Sequence, residues 1–349
     1  MKEWLKEVAR GEKGSRNLTY DEAYQAATAI TSNQATDAQI GAFLASKRLN
    51  GESWEEMKAF VDAIREKSQL GGSMKGESLS IDSAGPYDGR KTFPATIPVA
   101  FILAEAGIKT YIHGGRSLPP KYGTSMPELF SQFIGNPCKA VSAVREKDVE
   151  RGVVFSDTYQ RSEALDRLYR IRDEIGIRTF INTVEKLLHL IETDILFFGV
   201  FHKKAAETII PLIQNLPYEE AFVVQGIEGS EDVPVFRNST FVYHVQKGSV
   251  EPLTFRPADY GLNRSKELFP EYPSVQEQAG WINNILQNNI DDVTEPLYAQ
   301  VLFNAALRLY LVKQASSMEE GIETAETILK SGGPWKRAER WRTQEERER

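Results

Sequence analysis

Three capping boxes follow one another within residues 17–67, and they constrain the fold of this chain more than any other sequence feature. In a capping box, a serine or threonine starts a helix, and a glutamate or glutamine three residues later caps the same helix end in return. The three boxes are Thr19 with Glu22, Thr36 with Gln39, and Ser53 with Glu56. Apolar residues recur at helical spacing behind the last two. Residues 17–67 are therefore predicted to form consecutive helices with a shared core.

A segment rich in glycine and serine, residues 69–80 (QLGGSMKGESLS), separates this helical region from a different pattern. Beyond it, strand-like and helix-like stretches alternate. The predicted elements are a buried helix at 96–107, strands at 109–113 and 221–224, and a strand pair at 240–245 and 250–255. This alternation predicts an α/β sheet. We expect a helical domain at residues 1–72 and an α/β domain at 73–349.

Composition excludes several classes of protein. The 349 residues include 42 Lys and Arg against 49 Asp and Glu, so the net charge of −7 argues against a generally basic surface that coats nucleic acid. The single Cys138 excludes an internal disulfide and a Cys-rich zinc site. The longest apolar stretches, 97–107 and 195–201, are shorter than the roughly 20 residues of a membrane helix. The sequence predicts a soluble, cytoplasmic protein without a membrane partner.

Three glycine-containing loops each follow an extended segment: 83–92 (SAGPYDGRKT), 113–124 (HGGRSLPPKYGT) and 225–232 (QGIEGSED). Open α/β sheets bind ligands at the carboxyl ends of their strands, where such loops lie. The second loop has an arginine, a lysine and hydroxyl groups among glycines, which suits an anion. The third ends in two carboxylates, which suit Mg²⁺ shared with a phosphate. The alternative for each loop is an ordinary turn, with the acidic pair on a solvated surface.

Together with longer segments, these loops make the chain similar to the anthranilate phosphoribosyltransferase family, which shares its fold with the class II nucleoside phosphorylases. The similarity runs from about Leu18 to Lys336. It is carried by LTYDEAYQAATAITSNQATDAQIGAFLASKRLNGESWEEMKAFVDAIRE, IRDEIGIRTFIN and LFNAALRLYLVKQASSMEEGIETAETILKSG. The resemblance implies an all-helical N-terminal domain, rejoined by helices from about 163–190, and a larger α/β domain with a mainly parallel central sheet and C-terminal helices. It also implies a homodimer that pairs through the helical domain.

The resemblance further implies the reaction and the site. In this family an amine displaces pyrophosphate from phosphoribosyl pyrophosphate, with magnesium on the leaving group. The positions that match the family's phosphate-binding motifs are Asp88, Gly89, Thr92, Thr96, His113, Gly114, Arg116, Ser117, Lys121, Gly123 and Thr124. Glu231 and Asp232 match the metal-binding pair in reverse order, and Arg172 matches the arginine that pairs with the acceptor's carboxylate. No residue is assigned as a catalytic nucleophile.

The same motifs depart from the family pattern at several positions. Pro86 and Tyr87 replace two adjacent glycines, and the consecutive Pro119 and Pro120 replace two serines, which removes hydroxyl groups and amide donors. Glu185-Lys186 replaces a Gly-Pro turn of the acceptor pocket. The prediction is therefore a divergent glycosyltransferase that moves a pentosyl group from phosphoribosyl pyrophosphate to an unidentified acceptor, with Mg²⁺ as cofactor.

The alternative is a non-catalytic paralogue that binds nucleic acid or another phosphate-bearing ligand. This alternative is supported by a set of basic residues that remain although the motifs around them have changed: Arg116, Lys121, Arg167, Arg170, Arg172 and Arg178. Against nucleic acid, residues 145–178 carry eight basic and eight acidic side chains, so the sequence has no net basic stripe there.

Overall fold

Each predicted capping box starts a helix in the computed structural model of the chain, which describes residues 1–11, 13–85, 88–135 and 150–347. In all three boxes the hydroxyl accepts from the backbone N–H three residues on, and the side chain there accepts from the N–H of the cap residue. The helices of this region are α1 (Lys2–Val8), α2 (Tyr20–Thr31), α3 (Asp37–Asn50) and α4 (Trp54–Glu66). The three predicted boxes are thereby confirmed.

A buried ion pair ties the start of α4 to its neighbours. Lys47 Nζ of α3 lies 2.7 Å from the Glu56 carboxylate, and both side chains are almost fully buried. Glu56 also accepts from the backbone N–H of Leu18 at 2.8 Å and of Ser53 at 2.9 Å. Several hydrogen bonds therefore compensate the burial of this carboxylate, as a charge inside a protein requires.

Two later helices return to this region, α8 (Glu163–Ile175) and the short α9 (Ile181–Val184). The ring of Phe180 packs edge-on against Phe60, with centroids 4.8 Å apart. The same hydrophobic cluster continues to Leu196 and Phe198 of the sheet. Because this core is continuous from the helices to the sheet, the domain boundary at residue 72 stays a prediction.

Among the described residues, the sheet has seven strands: β1 (Ser80–Ala84), β2 (Lys109–Gly114), β3 (Val153–Asp157), β4 (Ile195–Val200), β5 (Glu220–Gln225), β6 (Thr240–Gln246) and β7 (Ser249–Phe255). Their order is β3-β2-β1-β4-β5-β6-β7. The first five strands are parallel, and β6 and β7 form an antiparallel hairpin at one edge. The predicted fold class, a helical domain next to an α/β domain with a mainly parallel sheet, is confirmed.

Helices cover both faces of the sheet and fill the connections. These are α5 (Thr96–Glu105), α6 (Met126–Ile134), α7 (Thr158–Arg161), α10 (Lys203–Gln214), α11 (Val275–Leu286), α12 (Glu295–Leu311), α13 (Met318–Lys330) and α14 (Gly333–Arg347). Nine of the ten residues of α5 are buried, because the sheet, α12 and α14 surround it. Within the described residues, no helix combines the length and the apolar character that crossing a membrane requires. Cys138 lies outside the described residues.

The strand order fixes where a ligand cleft can form. From β1 the chain continues to β2 and β3 on one side, whereas β4 and β5 extend the sheet on the other side. The crossover direction therefore reverses between β1 and β4, and the loops that leave their carboxyl ends diverge. Open α/β sheets bind ligands at such a switch point. The loops after β1, β2, β4 and β5 all meet at this edge.

Candidate functional site

A cleft of about 770 Å³ lies at the carboxyl ends of the parallel strands, where the helical region faces the sheet. It is lined by basic side chains from separate parts of the chain: Arg48, Lys121, Arg178 and Lys186. Three carboxylates share the same lining: Glu52, Asp88 and Glu228. The cleft therefore has the positive groups that an anionic ligand needs, together with internal acids that pair with some of them.

Asp88 joins two of these cations. Its carboxylate is buried, with one oxygen 3.1 Å from Lys121 Nζ and the other 2.8 Å from the Arg178 guanidinium. Lys121 belongs to the second glycine-containing loop, whereas Arg178 follows α8 on the helical side. Asp88 thereby holds cations from both sides of the cleft next to one another.

The first and second glycine-containing loops are bound directly to each other. The backbones of Arg90 and Thr124 exchange two hydrogen bonds, at 2.9 and 2.8 Å. A Cβ atom on Gly89 would lie 2.2 Å from the carbonyl oxygen of Gly123, and one on Gly123 would lie 2.5 Å from the backbone of Arg90. Both positions need glycine because the backbones of the two loops touch here. The Thr124 hydroxyl is held from the far side by Gln278, whose amide donates to it at 2.9 Å.

Glu228 binds two residues that the sequence assigns to phosphate, Thr92 and Lys121, together with the Lys91 amide. Its carboxylate accepts from the backbone N–H of Lys91 at 3.0 Å and from the Thr92 hydroxyl at 2.7 Å, and it lies 3.4 Å from Lys121 Nζ. Its own backbone has φ of 54°, the left-handed region that side chains rarely adopt. An amide, a hydroxyl and an ammonium around one carboxylate form the kind of group that binds a phosphate oxygen.

Lys186 is the most deeply buried cation of the cleft. Its ammonium group donates to the carbonyl oxygens of Gly199 at 3.2 Å and Gly229 at 3.1 Å, and it lies 4.0 Å from the centre of the Phe198 ring. Burial lowers the pKa of Lys186 to about 7, although the nearby Glu231 opposes that shift. This side chain is therefore poised to change charge near neutral pH.

The acidic pair assigned to magnesium is surrounded by donors from the protein itself. Asp232 lies 2.5 Å from the buried Arg90 guanidinium and 3.6 Å from Arg308, and it accepts from the backbone N–H of Thr96 at 3.2 Å. The Thr96 hydroxyl shares its one hydrogen between Glu231 and Asp232, whose oxygens both lie within hydrogen-bond distance. Of the four carboxylate oxygens of this pair, one oxygen of Glu231 is without a hydrogen-bond partner.

This arrangement does not fit a divalent ion. Mg²⁺ can be held by one or two carboxylates together with phosphate oxygens and waters, but an ion on this pair would lie beside the buried Arg90 guanidinium, which repels it. The predicted site residues Glu231, Asp232 and Thr96 do lie together, but around an arginine.

Of the eleven predicted phosphate-binding residues, Asp88 and Lys121 line the cleft, and the other nine are not among its lining residues. His113 is buried against Asp82, with 2.9 Å between its ring nitrogen and the carboxylate, and Gly114 is the last paired residue of β2. Arg116 is about half exposed, forms an ion pair with Asp166, and stacks on aromatic rings. The Ser117 hydroxyl is buried and has no hydrogen-bond partner.

Arg172, the predicted acceptor-binding residue, is buried and forms an ion pair with Glu185. Its two terminal nitrogens donate to the two oxygens of Glu185 at 2.7 and 2.8 Å, and one of them also reaches the Tyr159 hydroxyl at 3.3 Å. It is not among the residues that line the cleft. An acceptor carboxylate would therefore have to displace Glu185 before it could pair with this guanidinium.

The sequence analysis missed Arg48, Arg90, Lys186 and Glu228. Three of them carried a signal, since Arg90 and Glu228 stand inside the first and third glycine-containing loops and Glu185-Lys186 interrupts a Gly-Pro turn of the family pattern. Arg48 carried none, because an arginine at a helix end is a typical surface residue.

The helical domain, the mainly parallel sheet and the cationic cleft at its switch point define a two-domain α/β protein of the glycosyltransferase type. Residues 81–334 match the glycosyl transferase family a/b domain, and residues 2–68 match the helical bundle domain of the same family. The chain belongs to this glycosyl transferase family.

The relatives of the chain include anthranilate phosphoribosyltransferases from several bacteria. Anthranilate phosphoribosyltransferase from Thermoanaerobacter sp. is 31% identical over 334 residues, which covers 94% of this chain and 95% of that protein. The same enzyme from Caldanaerobacter subterraneus is 31% identical over 327 residues, with 92% of each chain covered. The reaction type of this family is phosphoribosyl transfer.

Solved structures show the same fold at lower identity. Anthranilate phosphoribosyltransferase from Thermus thermophilus has a TM-score of 0.78 at 22% identity, covering 97% of this chain and 98% of that chain. The Saccharomyces cerevisiae enzyme in complex with phosphoribosyl pyrophosphate and Mg has a TM-score of 0.80 at 20% identity, covering 97% and 96%.

Proposed function

We propose that this chain is a divergent glycosyltransferase that binds phosphoribosyl pyrophosphate in the cleft and transfers its pentosyl group to an acceptor other than anthranilate. The observation that carries the proposal is the convergence of Lys121, Arg178 and Lys186 on one cleft at the switch point of the sheet. These cations come from three separate segments, so their meeting is a property of the fold and not of one basic stretch.

The reaction makes modest demands on the protein. The bond from the sugar's anomeric carbon to the pyrophosphate oxygen breaks, a bond from that carbon to the acceptor forms, the acceptor gives up a proton to the solvent, and pyrophosphate leaves. Positive groups must stabilise the departing phosphates, and the protein must orient the acceptor, but no protein nucleophile is required. Lys121 and Arg178 are the groups that we assign to the phosphates. Thr92 and the Lys91 amide would join them if Glu228 turned away.

The acceptor proposal rests on the occupied guanidinium of Arg172. Its two-pronged ion pair with Glu185 is buried, and breaking such a pair leaves an uncompensated charge that costs about 3–5 kcal/mol. The single carboxylate of anthranilate would have to offset this loss by its own interaction with Arg172. A different acceptor, oriented by the cleft lining around Lys186 and Glu52, avoids it.

Binding without transfer is the second candidate, and the internal ion pairs favour it. Glu228 and Asp88 already neutralise cations of the cleft, as Arg90 neutralises Asp232. Nucleic acid has less support as the ligand, because the basic residues that suggested it are engaged: Arg116 with Asp166, Arg170 with Asp37, Arg172 with Glu185, Lys121 and Arg178 with Asp88, and Arg167 with the Ile30 carbonyl.

Calorimetric titration with phosphoribosyl pyrophosphate tests the proposal. We expect the wild-type chain to bind it at one site and Lys121→Met to bind it at least about tenfold more weakly, since one charge contact is lost. The control is Lys247→Met, which removes an equal charge in the exposed turn of the β6–β7 hairpin and should bind like the wild type. Equal weakening by both variants, or no binding by the wild type, would contradict the proposal.

Release of pyrophosphate separates transfer from binding alone. With phosphoribosyl pyrophosphate and a panel of amine and nitrogen-heterocycle acceptors, transfer predicts release that depends on one acceptor and stays at background with anthranilate. The chain should accordingly not restore growth to a tryptophan auxotroph that lacks anthranilate phosphoribosyltransferase. Release with anthranilate at the same rate as with any other acceptor would overturn the acceptor proposal.

The homodimer remains a proposal that rests on the resemblance. Light scattering of the purified chain would give the assembly directly.

A further inference from the structure

The acidic pair Glu231–Asp232 is neutralised from inside the fold. We propose that the Arg90 guanidinium permanently takes the place of a divalent ion on this pair, so that the cleft binds phosphate groups without Mg²⁺. The part of this inference that concerns the ligand rests on the proposed function, whereas the part that concerns the metal does not.

The charges balance without a metal. The carboxylates of Glu231 and Asp232 are buried, and so are the guanidinium groups of Arg90 and Arg308 beside them. Two negative charges thus face two positive charges in a site from which water is largely excluded. Adding a divalent ion would leave an excess of two positive charges in a buried position, which is strongly unfavourable.

Arg90 is also anchored on the side away from the acids. Its second terminal nitrogen donates to the Phe93 carbonyl at 2.8 Å and lies 3.4 Å from the Thr92 hydroxyl. Its backbone is fixed by the two hydrogen bonds to Thr124. The guanidinium is therefore positioned by the same loop contact that brings the two glycine-containing loops together, and it cannot leave Asp232 without giving up contacts on both sides.

Thr96 completes the closure of the pair. Its hydroxyl shares one hydrogen between the two carboxylates, and its backbone N–H at the start of α5 donates to Asp232. The hydroxyl and the two carboxylates are therefore engaged with one another, and the hydrogen-bond partner that is missing is that of one Glu231 oxygen.

Binding of Mn²⁺, followed by electron paramagnetic resonance, tests the metal part. The wild type and Asp232→Asn should bind the same number of Mn²⁺ ions, because the acidic pair of the wild type binds none. Arg90→Met should gain one site, and Arg90→Met with Asp232→Asn should lose it again. Lys91→Met, which removes an equal charge at the next residue, should gain none. A wild-type site that Asp232→Asn abolishes would overturn the inference, even if Arg90→Met fails to fold.

Calorimetry with inorganic pyrophosphate tests the ligand part. The dissociation constant for pyrophosphate in EDTA should be no more than about twofold higher than in millimolar Mg²⁺. Binding that is about tenfold or more weaker in EDTA would overturn the inference while leaving the proposed function standing. Absence of binding in both buffers would overturn the ligand part together with the proposed function, and the Mn²⁺ result would still decide the metal part.

Discussion

Single residues decide the charge of the cleft, and Lys186 is the clearest case. Its ammonium group is buried against two carbonyl oxygens and an aromatic ring. Because removal from water disfavours the charged form, the pKa of this lysine falls from 10.5 to about 7. Above that pH the amine is mainly neutral, and the cleft has one positive charge fewer for a phosphate.

We predict that Lys186 titrates near pH 7 in the folded protein. The measurement is a carbon-13 NMR titration of lysine labelled at Cε, with the Lys186 signal assigned by its loss in Lys186→Met. A midpoint close to 7 supports the burial argument, whereas a midpoint near 10.5 would mean that water reaches the ammonium group. A lysine-containing reference peptide, titrated in the same buffers, provides the comparison.

Residues also show where sequence reasoning stops. The sequence assigned Asp88, Thr92, Thr96, Lys121 and the acidic pair to one site. In the structure Asp88 and Lys121 line the cleft, whereas Thr96 and the acidic pair lie together around Arg90. The sequence could not show that Asp232 is paired with Arg90, which lies 142 positions away. Nor could it show that Glu228 caps the first loop. Such pairings depend on three-dimensional distance, which a local motif does not contain.

At the scale of elements, local signals predicted α2 to α5 and the strands β2, β5, β6 and β7, but not α6, α10 and α11, although α11 starts with a capping box of Ser274 and Glu277. The capping boxes fix where α2, α3 and α4 start, because both partners of each box lie within one turn. The hairpin β6–β7 was also predictable, since Lys247-Gly248 marks its turn and Gly248 adopts a φ of 82°. The sequence analysis missed β3 and β4, because both are short and almost fully buried and so lack the alternation that reveals a strand.

One capping box carries more stability than the others. Glu56 is both a capping residue and half of the buried ion pair with Lys47, whereas Gln39 caps α3 without a charge. We predict that Glu56→Ala lowers the free energy of unfolding by about 3–5 kcal/mol, because it leaves Lys47 buried and unpaired. Gln39→Ala should cost about 1 kcal/mol or less.

Urea denaturation of the two variants measures this difference. If Glu56→Ala and Gln39→Ala cost the same within about 1 kcal/mol, the buried pair adds nothing to the cap, and the argument from burial is wrong. A larger loss in Glu56→Ala with an unchanged denaturant slope supports it.

At the scale of the whole molecule, the cleft exists because two parts of the chain face each other across Asp88. One side is built by the loops of the sheet, and the other by the segment after α8 that carries Arg178. Binding of a phosphate between Lys121 and Arg178 would replace an internal carboxylate with a ligand. The resemblance predicted this architecture, whereas composition could not, since a net charge of −7 conceals a local cluster of cations.

The most direct test of the central claim is a crystal structure of the chain soaked with phosphoribosyl pyrophosphate in the presence of EDTA. The account predicts density for the pyrophosphate group in the cleft, in contact with Lys121 and Arg178, with the Glu228 carboxylate displaced from Lys91 and Thr92 and with Arg90 still on Asp232. Phosphate density outside the cleft, or a cleft that stays closed by Glu228 at saturating ligand, would contradict it.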